Sequence, residues 1–285
     1  MYIGFELNDY QPLRKVHPVE IYAFKDQAKG TFDKLSDYMV GKFKGQDVID
    51  AEQLADHLFP TKKAHVFLSH SHRDADQAIE LAIALKDKGL DVFVDSCVWG
   101  YFHDLLDALN EVYAEPQRKA EGGVVYNYRK ATDLTAGVHM MLAGALQAMI
   151  DRSELFVFLN TTNSIPMNNF AGVDRTFSPW IYSELQFSAT ARSRVPMRKR
   201  VIMDSVSIEK NRQYKAIASN EVLLSFKAFN KHLPKVDGGE LKTWFGDANV
   251  QGNLALDSLY SASDIHENFF RLRKALETPE QLGAY

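Results

Sequence analysis

The sequence predicts a parallel α/β fold, a central sheet with helices on both faces. Short apolar runs at residues 65–68, 90–94 and 155–159 have the length and composition of buried strands. Between them lie stretches with helical apolar spacing, and strands that alternate with helices build parallel sheets. Composition agrees: 46% of the 285 residues are hydrophobic, 25% are charged, and there are only 16 Gly and 9 Pro. That balance excludes a disordered, collagen-like or low-complexity chain.

In chain order, residues 1–62 hold one or two helices, one of them at 51–58, and Pro60 breaks the chain ahead of the first core strand. Residues 1–10 carry Glu6 and Asp9 and lack both a basic leader and a long apolar core, so they do not read as a signal peptide. Strand 65–68 leads into a helix over 74–88, where Ala75, Ala78, Ile79, Ala82, Ile83 and Leu85 form one apolar stripe. Gly89 closes that helix as a C′ glycine would. The strand at 90–94 ends at Asp95. Residues 97–137 are too long for an ordinary strand-to-helix connection, and contain a helix-like stretch at 104–112 and a loop at Gly122-Gly123. An insertion of that size beside a strand's carboxyl end is functional more often than decorative.

A helix at 138–150, the strand at 155–159 and a helix at 179–189 follow, then two further strands at 201–203 and 222–226 and a closing helix at 264–277. Five strands at this spacing suggest a flavodoxin-like order, with ligands at the carboxyl ends of the strands. The expected organisation is an N-terminal extension (1–62), an α/β domain (63–235, with the insertion at about 97–137) and a C-terminal helical segment (236–285) packed on that domain. No internal repeat is present.

Several function classes are disfavoured. With 33 Lys+Arg against 37 Asp+Glu the net charge is −4, so no overall basic field draws the chain to nucleic acid. The basic run of Arg192, Arg194, Arg198, Lys199 and Arg200 follows a helix whose C-terminal dipole it complements, and it lacks interleaved aromatics. No window approaches the roughly 20 apolar residues of a membrane span. Cys97, the single cysteine, makes no internal disulfide, which suits a reducing, cytoplasmic setting, and no relay marks it as a nucleophile. His70, His72 and Asp74 invite a metal reading, but a strand-end His-x-His splays its side chains and no partner set with zinc-like spacing follows.

The chemistry-bearing residues fall in three segments. The first is Phe67-Leu68-Ser69-His70-Ser71-His72-Arg73-Asp74; the second is Val92-Phe93-Val94-Asp95, followed by Trp99. The third is Phe158-Leu159-Asn160-Thr161-Thr162-Asn163-Ser164, followed by Ser178-Pro179-Trp180-Ile181-Tyr182-Ser183-Glu184-Leu185. Each begins at or follows the carboxyl end of an expected parallel strand, so all three should converge on one rim. Ser178 is a good N-cap and Pro179 suits the first helical position. Trp180 and Glu184 then stand one turn apart on one face, while Ile181 and Leu185 anchor the neighbouring stripe. A carboxylate near a helix start, with an indole above it, can stabilise a developing cation. Taken alone, Glu184 reads as a solvated helix residue.

Together, and in this order, the segments resemble the Toll/interleukin-1 receptor (TIR) domain family, in its bacterial antiphage-defence form. Residues 66–74 look like its first strand and the turn opening its first helix, 90–95 like its second strand, and 156–164 like its third. Residues 178–185 match its Ser-x-Trp-x-x-x-Glu-Leu helix. The likeness covers roughly residues 64–235; the 97–137 loop and the N-terminal 60 residues depart from it.

The resemblance implies a flavodoxin-like fold and, in the enzymatic branch, cleavage of NAD+ to nicotinamide and a linear or cyclic ADP-ribose product. The catalytic glutamate of that branch corresponds to Glu184. Because nicotinamide leaves as a neutral base, no general acid is needed. The species to stabilise is an oxocarbenium-like ribose, which one carboxylate can do. NAD+ is then substrate, with no resident cofactor. On this reading Ser69, His70 and Ser71 meet phosphate or cap the helix, and Asp95 binds ribose hydroxyls or caps the next turn. Trp180 walls the pocket. Trp99, with Tyr101 and Phe102, stacks on a base or packs the inserted loop; His139 is a further rim candidate. Expected partners are further copies of the chain and an effector protein that responds to the nucleotide product. Two other readings stand beside this one: a non-catalytic TIR scaffold that works by self-association, and a nucleoside deoxyribosyltransferase-like enzyme.

Overall fold

A computed structural model describes residues 1–28, 35–59, 64–97, 99–119, 121–197, 224–247 and 249–276. The chain opens with strand β1 (Ile3–Asn8) and helix α1 (Pro18–Ala28), then a hairpin of β2 (Met39–Phe43) and β3 (Gln46–Ile49), and helix α2 (Ala51–Leu58). Next come β4 (Val66–Ser69), α3 (Ala75–Asp87), β5 (Val92–Val94) and α4 (Trp99–Tyr113). Two-residue strands β6 (Gln117–Arg118) and β7 (Val124–Val125) precede the long helix α5 (Tyr128–Arg152). Strands β8 (Leu155–Leu159), β9 (Met167–Phe170) and β10 (Val173–Thr176) lead to α6 (Pro179–Thr190). The chain closes with β11 (Phe226–Lys227), β12 (Lys235–Asp237), α7 (Gly238–Asp247), α8 (Asn253–Ala262) and α9 (Ile265–Leu276).

Two compact units form. The first takes in Met1–Phe24, Lys63–Asp95 and Met149–Tyr285; the second takes in Lys25–Lys62 and Ser96–Ala148. The segments that break the α/β rhythm of the sequence therefore gather largely in one unit. That unit holds the β2–β3 hairpin, α2, α4 and the β6–β7 ribbon, and within it the Phe102 and His139 rings lie 4.9 Å apart. Phe102 is buried, which supports a packing role for it.

The first unit is built on a five-stranded, all-parallel sheet in the order β12-β1-β8-β4-β5. Its central strands are fully buried apolar runs, as a parallel sheet covered on both faces requires. The three strands legible in the sequence stand as second-first-third (β5-β4-β8), the start of the flavodoxin order. The next places correct the sequence expectation. Ile3–Asn8, in the segment read as an extension ahead of the core, supplies the strand beside β8, and Lys235–Asp237 supplies the edge. The strand expected at 201–203 lies outside the described residues. Of the strand expected at 222–226, residues 222 and 223 lie outside the described residues, and among 224–226 Phe226 is the strand residue; β11 pairs antiparallel with β10 in a separate three-stranded sheet with β9.

Register fixes which side chains share a face. Ser69 pairs with Phe158 and Phe158 with Glu6; two residues earlier, Phe67 pairs with Phe156 and Phe156 with Gly4. These residues face one way because side chains alternate along a strand. Phe67 stacks on Phe156 at 5.8 Å and on Phe93 at 5.4 Å, an aromatic floor that runs up to the polar pair Ser69 and Glu6. Gly89 closes α3 with φ 72°, and the Leu90 amide reaches back to the Leu85 carbonyl. Among the described residues no helix is long and apolar enough to cross a membrane.

Candidate functional site

The site forms where β4 and β5 end and α6 begins. Ser178 caps α6 by accepting a hydrogen bond from the Ile181 amide at 3.2 Å, and Pro179 occupies the first turn. Ile181, Leu185 and Ser188 are buried with Glu184, so the helix turns its Glu184 stripe inward. Glu184 is only 2% exposed, which corrects the picture of a solvated helix residue. Its Oε2 accepts a 2.5 Å hydrogen bond from the Ser69 hydroxyl, joining segments 115 residues apart in sequence. Burial drives its carboxyl well above the usual carboxylate range; the neighbouring Asp95 charge pushes the same way and the Ser69 hydroxyl opposes both.

Asp95 and His70 form the second half of the site. Both are buried, at the ends of the adjacent strands β5 and β4. His70 Nδ1 lies 2.8 Å from Asp95 Oδ1 and 3.3 Å from the Leu68 carbonyl. The His70–Asp95 contact is an ion pair, and Asp95 Oδ1 has no hydrogen-bond partner beside it. Burial disfavours charge on His70, yet the Asp95 charge and the accepting oxygens outweigh it and raise its basicity, with a smaller push from Asp74. Three polar atoms of this group, His70 Nε2, Asp95 Oδ1 and Glu184 Oε1, are buried without a hydrogen-bond partner, and of these Asp95 Oδ1 has the His70 ion pair. Buried polar atoms are nearly always paired, so such orphans in one cluster mark a place where a ligand can complete the bonding.

Around this centre the rim is tied down by two further acids: Asp74, which the sequence raised only as a metal ligand, and Glu6, which it did not place at the site. Asp74, buried, accepts from Thr161 Oγ1 at 2.5 Å and from Asn163 Nδ2 at 2.6 Å, which pins the turn after β8. Ser164 reinforces that turn by accepting from the Thr161 amide and donating to the Leu159 carbonyl. Glu6, fully buried on β1, accepts from Asn160 Nδ2 at 2.7 Å on one oxygen and from Asn230 Nδ2 at 3.0 Å on the other. Burial raises the Glu6 carboxyl, against the pull of Lys235 and the two amides. A charge interrupting the apolar run Tyr2-Ile3-Gly4-Phe5-Glu6-Leu7 was the available signal for Glu6.

Of the residues expected at the site, Ser69, His70, Asp95 and Glu184 come together. Ser69 is fully buried and committed to Glu184, so it does not face outward as a phosphate-binding hydroxyl. Ser71 is half-buried in the adjoining turn and its side chain caps nothing. Trp180 is half-buried one turn before Glu184 on α6. Trp99 opens α4 in the second unit, and its side chain lies outside what the structure describes. Among the described residues no group of three His, Cys, Asp or Glu side chains is arranged to hold a metal ion. No family model, curated protein or solved structure matches the chain.

Proposed function

We propose that the chain is a TIR-like NAD+-cleaving enzyme that breaks the nicotinamide–ribose bond and yields nicotinamide with ADP-ribose or a cyclic counterpart. The observation that carries this reading is the Ser69–Glu184 hydrogen bond, since it joins the first and third resembling segments at the carboxyl end of the sheet. Open α/β sheets bind ligands at that end. A buried carboxyl there, in a site with little water, acts strongly on charge that develops nearby.

In the proposed reaction, the bond between the ribose anomeric carbon and the pyridinium nitrogen breaks, its electron pair goes to nitrogen, and nicotinamide departs neutral. The sugar is left as an oxocarbenium ion, and the Glu184 carboxylate supplies the opposing charge. Trp180 walls the pocket, and His70, Ser71 and Asp95 line its polar side. A water then adds to the anomeric carbon and loses a proton, or a nucleophilic atom of the ADP-ribose itself closes a ring. We place the activity in antiphage defence in the cytoplasm, with self-association and a nucleotide-responsive effector as partners.

The test is chromatography of products after concentrated protein is incubated with NAD+. Nicotinamide in step with an ADP-ribose species supports the reading. Intact NAD+ under assembled conditions favours a scaffold, and base exchange on deoxynucleosides with NAD+ untouched favours a deoxyribosyltransferase.

A further inference from the structure

Glu184 has one oxygen bonded to Ser69 and one orphaned, inside a cluster less than 5% exposed at every member: Ser69, His70, Asp95 and Glu184. The two carboxyls are held by consecutive residues at the end of β4, Glu184 by Ser69 at 2.5 Å and Asp95 by His70 at 2.8 Å, with Asp74 acting on His70 from the next turn. Two buried carboxyls with one cationic partner cannot both carry charge cheaply. We propose that Asp95, held at 2.8 Å by His70, is a positioning residue that adds to burial in keeping Glu184 neutral in the empty site, so that the site becomes an anion only against a ligand bearing a fixed positive charge.

Empty, the site holds a neutral Glu184 and a balanced Asp95–His70 ion pair. A pyridinium ring laid against Glu184 supplies the second positive charge, and the carboxyl releases its proton to solvent. A ligand of the same shape with an uncharged ring offers no such compensation. The site is thereby selective for cationic N-ribosides. This rests on the NAD+ reading for the identity of the ligand, but the protonation claim does not.

The test is carbon-13 NMR of protein labelled at the glutamate carboxyl carbon, titrated with pH, with the Glu184 signal assigned by its loss in Glu184→Gln. In the unaltered chain Glu184 ionises above the usual carboxylate range. In Asp95→Asn its midpoint falls by at least one pH unit, about a tenfold loss of proton affinity. In His70→Gln, which leaves Asp95 uncompensated, it does not fall. A Glu184 midpoint unmoved in Asp95→Asn overturns the proposal; so does an ordinary midpoint in the unaltered chain. Should Asp95→Asn fail to fold, the unaltered chain and His70→Gln still decide it, because a fall in His70→Gln also overturns it. Wherever NAD+ is turned over, the pH–rate profile of Asp95→Asn moves down with the NMR midpoint. Absent turnover with the expected NMR shifts removes the NAD+ reading alone, whereas turnover with an unmoved Glu184 removes this one alone.

Discussion

Replacing Ser69 with Ala probes the contact on which the site is built. The side chain is fully buried and donates its only site hydrogen bond to Glu184 Oε2 at 2.5 Å. A hydrogen bond to a neutral group contributes about 0.5–1.5 kcal/mol, and one to a charged group about 1.5–3. The difference, ~1–1.5 kcal/mol, is the part that favours the ionised form of Glu184, and it corresponds to about one pH unit. Loss of the hydroxyl should therefore move the Glu184 midpoint, and the midpoint of NAD+ turnover, up by about one unit. Folding should lose ~1–2 kcal/mol because a buried acceptor is left unpaired. At this chain length that lowers the melting midpoint by roughly 2–8 °C. A pH–rate profile and a circular-dichroism melt read both effects. A midpoint that stays put or moves down would refute the reasoning, as would an unchanged melting temperature.

Three more expectations concern the frame around the site. Glu6→Gln keeps an acceptor for Asn160 but sets an amide N–H against the Asn230 amide, so the sheet unit should lose about 1–3 kcal/mol in denaturant melts. His232, buried against Ser188, is pushed down to about 3 by burial and by the Arg273 cation. The unfolded chain takes up that proton near pH 6.5 and the folded one does not, so stability is lost as pH falls from 6.5 towards 3, by up to roughly 5 kcal/mol; His232→Gln should flatten that acid limb. Gly238 opens α7 beside the chain leaving β1, where an added Cβ would meet the Asp9 carbonyl oxygen at 2.2 Å. Gly238→Ala should therefore cost ~1–3 kcal/mol, and a neutral outcome would argue against the β1–β12 pairing.

The two carboxyls raised by burial act in the opposite sense to His232. Glu6 and Glu184 bind their protons more tightly folded than unfolded. The stability they confer is complete below the ordinary carboxylate range and is lost as pH rises through their raised values. Glu184→Gln should remove its share of that alkaline slope while changing stability at neutral pH by only about 1 kcal/mol, because a neutral acid and an amide have nearly the same shape and Ser69 can donate to either.

What the sequence made legible tracks local signals. Strands β4, β5 and β8 are apolar runs, and α6 carries its own start in Ser178 and Pro179, so these elements stand close to where residue patterns place them. Strand β1 was missed because Gly4 and Glu6 interrupt it, and their reasons are tertiary. A Cβ at Gly4 would crowd Leu233 and the Phe156 carbonyl, and Glu6 is compensated by Asn160 and Asn230, the latter 224 residues away. Strand β12 offers only Val236 between Lys235 and Asp237, an edge strand with no apolar run to read. At the site, the Trp180–Glu184 spacing is local and readable. The His70–Asp95 ion pair arises only because β4 and β5 lie side by side, and the burial of Glu184 only because α6 docks over Ser69.

The most direct measurement is nicotinamide release from NAD+ by concentrated unaltered protein beside Glu184→Gln, with both samples shown to melt alike. On the proposed role of Glu184, the first gives nicotinamide and an ADP-ribose product and the second loses roughly a hundred- to a thousandfold, the scale expected when a group opposing transition-state charge is removed. Equal turnover by the two proteins would contradict it.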